Sequence, residues 1–381
     1  MSLRTPLCDL LGIQYPILQA GMAGAAGPEL VAAVSNAGAL GILPGLNVAP
    51  DRLREQIRKI RTLTDKPFGV NLWLHSDMWP PADVSRVPAA TIAAARATLD
   101  GIRARLGLPA SKAAPTSSPN IVGAAFDVIV EVRAPVFTAA VGEPTPEMMR
   151  RCHERDMKVV AMVTTVRQAR AVASLGVDVI VAQGSEAGGH RSLGVKPDRV
   201  TAAGIGTLAL VPQVVDAVRV PVVAAGGIAD GRGLAAALAL GAQGAQIGTR
   251  FVVTREGSAA DFRKKAVLEA ESEDTALSDV VSGLWSRYIR NAYIAEYEKT
   301  GAPVLPVHAQ TRFAQDIFDE AAKREDANWL PLATGQSVGL VRDLPGAAEV
   351  VERIAREAEA VLVSLRAMGG ARPPGQAQGL R

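Results

Sequence analysis

Gln183 and His190 share the stretch AQGSEAGGHRS (residues 182–192), crowded by Gly184, Gly188 and Gly189. A connection needs only turn residues, yet this one carries an amide and an imidazole directly after the apolar run VDVIVA. Imidazole titrates near neutrality and serves as base, acid or local cation, which makes His190 the candidate catalytic group. Glu186 and Arg191 put a charge of each sign beside it. A second amide, Asn71, interrupts the apolar run GVNL. A buried amide must be hydrogen-bonded, either inside the protein or to a ligand. At strand ends, Asn71 and Gln183 suit the edge of a heterocycle whose donors and acceptors alternate, as an isoalloxazine's do. His75, His153 and His308 show no metal-ligand spacing and read as structural or solvent-facing, so no metal is expected.

Two glycine-bearing stretches, PVVAAGGIADGRG (221–233) and GAQGAQIGTRF (241–251), leave apolar runs in the same way. Gly226, Gly227, Gly248 and Thr249 offer unobstructed backbone N–H groups and one hydroxyl, the equipment of a phosphate site. A following helix N-terminus would add its dipole. A third stretch, QAGMAGAAG (19–27), spaces its glycines G-x-x-G-x-x-G, and no acidic residue closes the next run near Leu43. That departs from the dinucleotide fingerprint. It reads instead as a tight turn that brings backbone close to a flat ligand.

Eight short apolar runs position these residues: 15–19, 39–43, 68–72, 135–140, 158–163, 177–182, 220–225 and 245–248. Near-continuous apolar character is what parallel strands buried on both faces require. Most are followed by amphipathic helical patterns, and three of these stop at Gly38, Gly176 and Gly241. The order predicts an α/β fold, a (β/α)8 TIM barrel with a helical lid after strand eight. The barrel is expected over 1–255, with a long insertion at about 73–134. A helical lid or substrate domain follows at 256–340, then a helix returning to the barrel at 341–367 and a disordered tail at 368–381.

Composition excludes several partners. A net charge of +3 from 41 basic and 38 acidic residues gives no footprint for nucleic acid or an anionic membrane. No run of 18 apolar residues exists, and the N-terminus lacks the apolar core of a signal peptide. Two cysteines far apart suit a reduced cytoplasmic protein, monomer or homodimer. Aromatics make up only 4%, so Ala, Val, Leu and Ile must build the core.

The segments PILQAGMAG, FGVNL, AQGSEAGGHR, GTLALVPQVVD, PVVAAGGIADGRG and QIGTRF resemble bacterial nitronate monooxygenases, formerly called 2-nitropropane dioxygenases. The resemblance runs from about Leu7 to Glu256 and more weakly to Leu340. It implies an FMN barrel in which Asn71, Gln183 and Gly188 contact the flavin and Ala20, Gly21 and Met22 line it. The phosphate would lie at Gly227 and at Gln246, Ile247, Gly248 and Thr249. GQS (335–337) matches a flavin-side element, bringing in Gln336 and Ser337, and His190 matches the catalytic histidine. The chain departs from many members at Gly21, where they have proline, and at Ala140, where some have histidine. No tyrosine stands in 305–309, and Arg250 is placed near the mouth. These changes fall mainly in the substrate layer.

The implied reaction is FMN-dependent oxidation of an alkyl nitronate by O2 to a carbonyl compound and nitrite, with one electron passing to the flavin. Propionate 3-nitronate is the natural substrate the likeness implies. Protonated His190 would attract the anion, and neutral His190 would take the α-proton of a nitroalkane; both roles suit the sequence. Two rivals stand beside it. One is an NAD(P)H-dependent flavin reductase of enoyl thioesters or quinones, since such enzymes carry similar segments. The other is a barrel binding a phosphorylated metabolite without redox chemistry.

Overall fold

A computed structural model describes residues 3–193 and 204–370. Eight parallel strands form its centre: β1 (Ile17–Gln19), β2 (Gly41–Pro44), β3 (Phe68–Trp73), β4 (Val136–Ala140), β5 (Lys158–Val163), β6 (Val179–Gln183), β8 (Val222–Ala225) and β9 (Gly244–Ile247). Almost every residue in them is buried, as a sheet covered on both faces demands. Their order is β1-β9-β8-β6-β5-β4-β3-β2, consecutive apart from β7 (Gly189–His190), which lies outside this sheet, and it is the order of a barrel.

Closure between β1 and β2 uses a side chain. The Leu40 N–H donates to the Ile17 carbonyl and the Gln19 N–H to the Leu40 carbonyl, both at 2.9 Å. Beyond that point the buried Gln19 amide replaces the ladder. Its Oε1 accepts the Ile42 N–H at 3.1 Å, and its Nε2 donates to the Ile42 carbonyl at 3.3 Å. An amide carries one donor end and one acceptor end, so it can stand in for a backbone peptide.

The outer ring is helical. The helix Ala347–Gly370 packs on Gly231–Ala239 and on Pro28–Asn36, so the C-terminal segment returns to the barrel wall. It extends past the expected end of that segment, and residues 371–381 of the expected tail lie outside the described residues. The insertion divides in two. Its second helix, Val122–Glu131, lies on β3 and on Pro50–Leu63 and belongs to the ring. Its first, Ala89–Arg105, joins the lid and packs on Ala292–Thr300. Leu99, Ile102, Tyr293, Tyr297, Phe313 and Ile317 make a second core there. Arg103, 1% exposed, ties the two segments by bonding Asp100 and Asp316, each at 2.8 Å.

The lid is not purely helical. β10 (Thr275–Ser278) pairs antiparallel with β11 (Ser286–Ile289), and β11 pairs with β7 (Gly189–His190) from the connection after β6. Ser286 lies opposite His190 and Arg287 opposite Gly189. The stretch that reads as a flexible loop is therefore held as the edge strand of a small sheet.

Candidate functional site

A cavity of about 530 Å³ opens at the carboxyl ends of the barrel strands, beneath the lid. Ala20, Gly21 and Met22 line it after β1, Asn71 on β3, and Gln183, Gly188 and His190 on and after β6. Gly226 and Gly227 follow β8, Gln246 is on β9, and Gly248 and Thr249 follow it; Ser337 comes from the far end of the lid. Two expected residues stand apart. Ile247 is fully buried in the barrel core, since alternate residues of a strand face opposite sides. Gln336 turns its side chain to solvent, and only its backbone engages, donating to the Glu186 carbonyl at 2.9 Å.

The two amides behave differently. Asn71 donates through Nδ2 to Thr138, at 2.8 Å to Oγ1 and 3.2 Å to the carbonyl, which leaves Oδ1 without a protein partner. Gln183 is engaged at both ends by its own connection. Its Nε2 donates to the His190 carbonyl and its Oε1 accepts the Ser192 N–H, each at 2.9 Å. It braces β7 and retains one Nε2 hydrogen for a ligand. Arg191 braces the same turn from behind, donating to the Gly184 and Gln183 carbonyls at 2.6 and 2.8 Å. Glu186 turns away from the cavity and caps the helix Thr207–Ala217, accepting the Thr207 N–H and hydroxyl at 2.9 Å. There its negative charge meets the positive helix end.

Glycine is required where backbones cross. A Cβ on Gly188 would lie 2.4 Å from the Gly335 nitrogen, and one on Gly335 would lie 2.7 Å from the Gly188 nitrogen. This crossing fixes the GQS element against the β6 connection. Gly226 takes φ +106°, a conformation other residues rarely adopt, and a Cβ there would also meet the Ala187 nitrogen at 3.0 Å.

One electrostatic expectation falls away. The helix after β8, Gly231–Ala239, does not lend its dipole to an anion here. Asp230 already accepts from the Arg232 and Gly233 N–H groups at 3.0 and 3.1 Å, and Glu357 accepts from Gly231 at 3.0 Å. Of the two roles open to Arg250, an anion's partner or an acid's, the structure shows the second. Its guanidinium turns outward to Asp343 at 2.7 Å and to the Val253 carbonyl at 2.7 Å, so it contributes nothing to the cavity. Its charge is answered by an acid before any substrate could meet it.

His190 is held from three sides. Its Nε2 lies 2.7 Å from the Ser282 hydroxyl. Its ring meets the edge of Trp73 with centroids 4.3 Å apart, and Tyr288 stands 6.3 Å away. Burial, followed by the repulsion of His308 and His75, pushes its pKa down to about 3, so the ring is neutral across the physiological range. Among the described residues, the wall it stands in contains no carboxylate.

A nitronate monooxygenase family model matches residues 4–357. The chain belongs to that family. A probable nitronate monooxygenase of Staphylococcus saprophyticus is 36% identical over 95% of this chain and 99% of its own length. One of Staphylococcus haemolyticus is 35% identical over 96% and 100%. Among solved structures, nitroalkane oxidase from Streptomyces ansochromogenes superposes with a TM-score of 0.84 at 32% identity, covering 95% of this chain and all of that one. FabK from Thermotoga maritima gives 0.73 at 30% identity, covering 96% and 99%. The chain is thus an oxidoreductase of a flavin-dependent family. No helix among the described residues is long and apolar enough to cross a membrane.

In this nitronate monooxygenase family member, sequence reasoning missed residues from the insertion and the lid. Trp73, Ser282, Tyr288 and His308 all line the cavity with His190. His308 adopts φ +60° and stacks on Trp73 at 5.6 Å, with its Nε2 buried and unpartnered. Burial pushes its pKa down to about 4. His75 accepts the Asp77 N–H at Nδ1 at 3.0 Å, so its neutral ring carries the proton at Nε2, which also has no partner. Neither histidine is solvent-facing; both are buried. No local pattern marks them, because the fold alone stacks His308 on Trp73 and brings His75 near both other rings.

Proposed function

We propose that this chain binds FMN and oxidises alkyl nitronates with O2 to a carbonyl compound and nitrite. What carries the reading is His190, neutral and hydrogen-bonded to Ser282, in a cavity walled by free backbone and amide groups and by no carboxylate. The wall suits a flavin. The Asn71 Oδ1 accepts no protein hydrogen bond and is available to a ring N–H. The Gln183 Nε2 keeps a hydrogen for an acceptor on the same edge. Gly226, Gly227, Gly248 and Thr249 offer backbone donors for a phosphate. When bound, the flavin supplies the one-electron acceptor for the nitronate.

The chain's own residues do the rest. A base must be unprotonated to act, and the burial of His190 keeps it so. That removes the standing imidazolium as the attractor of a nitronate and leaves the neutral ring two roles, hydrogen-bonding partner of a nitronate and α-proton acceptor for a nitroalkane, the second weakened by so low a pKa. Ser282 fixes the ring, and Trp73 limits its rotation. The partners are a small nitronate or nitroalkane and O2. Both cysteines, Cys8 and Cys152, are free and buried, which suits a cytoplasmic setting. Propionate 3-nitronate is the substrate this reading takes as natural.

Anaerobic mixing tests it. Ethyl nitronate should bleach the yellow holoenzyme rapidly, whereas NADH should not. Rapid bleaching by NADH would instead support a flavin reductase, and protein that takes up no FMN would support a non-redox phosphometabolite barrel.

A further inference from the structure

Among the described residues, Arg263 is the one side chain in the cavity wall with a permanent charge, and no carboxylate lines that wall. It lies on the helix Asp261–Glu269, on the part of the wall that also includes Val252, Ala259 and Val267. Other arginines with comparable burial are answered. Arg250 has Asp343, Arg103 has Asp100 and Asp316, Arg191 has two backbone carbonyls, and Arg287 donates to the Ser185 carbonyl at 3.0 Å. Arg263 makes no ion pair and no side-chain hydrogen bond among the described residues, and burial alone lowers its pKa. A half-buried guanidinium without a counter-charge is costly to keep, and it presents a fork of donors matched to carboxylate or phosphate oxygens.

We propose that Arg263 is an anion-binding group of this cavity, receiving the phosphate or carboxylate oxygens of a ligand bound there. Its charge comes from a side chain on the segment after β9, and it lines the same cavity as the backbone donors of Gly226, Gly227, Gly248 and Thr249. Its ligand carries an anionic group apart from the atom that reacts at His190. The anion belongs either to the cofactor's phosphate or to a second, carboxylate-bearing molecule. The inference rests on the cavity itself and survives if the nitronate reading fails.

Two binding arms distinguish the sources, using the full chain and Arg263→Met, which keeps an apolar stem of similar reach. In the first, FMN and riboflavin are titrated into flavin-stripped protein by fluorescence quenching. If the anion is the cofactor's phosphate, the preference for FMN falls about tenfold in the variant. In the second, the holoenzyme's affinities for 3-nitropropionate and 1-nitropropane are compared from thermal-midpoint shifts. If the anion is a ligand carboxylate, the preference for the acid falls about tenfold. Neither arm depends on turnover. A variant with a lowered melting midpoint is replaced by Arg263→Gln and read in the same way. Preferences equal to wild type in both arms overturn the proposal.

Discussion

Removing one hydroxyl should separate the roles of His190. In Ser282→Ala the imidazole Nε2 loses its partner at 2.7 Å, the one hydrogen bond it makes among the described residues. Leaving a buried polar atom unsatisfied costs about 1–3 kcal/mol. Charged to the transition state alone, that is roughly 5- to 150-fold in rate. The loss should depend on the substrate form. Nitroethane must give up its α-proton to a base, whereas ethyl nitronate arrives deprotonated. Steady-state kcat/KM for both forms, each measured with FMN content checked by absorbance, therefore reads the base role directly. The expected result is a loss in that range for nitroethane and a clearly smaller one for the nitronate, with Ser282→Thr recovering part of it. Equal losses with both substrates, or none with either, would refute the claim that Ser282 orients a catalytic base.

Other consequences follow from the same geometry. His190, His308 and His75 all titrate below their ordinary range in the folded chain, mainly through burial. The unfolded chain therefore binds more protons as pH falls below about 6.5, so their contribution is complete above that pH and is lost on descending toward 4. Urea midpoints at pH 7.5, 6 and 5 should fall in that order, and should fall less in a His75→Gln/His308→Gln variant; equal slopes would contradict the assignment. Gly188→Ala should abolish flavin binding while the barrel still folds, since its methyl would sit 2.4 Å from the Gly335 nitrogen; retained yellow colour at normal FMN affinity would count against the crossing. Arg103→Ala removes the buried guanidinium's bonds to Asp316 and to the Phe313 carbonyl and should destabilise the lid by about 1–3 kcal/mol, seen as an early unfolding transition or increased proteolysis of 256–340.

The barrel was legible because strands buried on both faces leave short runs of Val, Ile and Ala that no surface element needs. Gln183, Asn71 and His190 were legible for the complementary reason: a polar group interrupting or ending such a run stands out. The rest of the site was not, and the cause is distance in sequence. Ser282 and Tyr288 lie in the lid, with Tyr288 on a strand, SRYI, too short to show a period-two pattern or any sign of what it pairs with. His308 and His75 sit in irregular segments where a lone histidine looks like any other. Arg250 could be placed near the mouth because it follows β9, but the acid it pairs with, Asp343, is 93 positions away and no local pattern marks it. The capping of Gly231–Ala239 comes from Asp230 beside it and also from Glu357, a residue 126 positions away.

The pairing of β7 with β11 makes the lid and the reacting group a single mechanical part. Arg191 also donates its backbone N–H to Trp285 at 2.9 Å, so the joint extends beyond the two-residue strand. Displacing Ser286–Ile289 displaces His190, and the imidazole is then carried away from whatever the barrel floor holds. A substrate-sized opening made at that seam would switch the chemistry off for as long as it lasted, while an opening elsewhere would leave it armed. Substitutions in the lid, even ones remote from the cavity, thus act on the timing of the histidine as well as on the shape of the space above it.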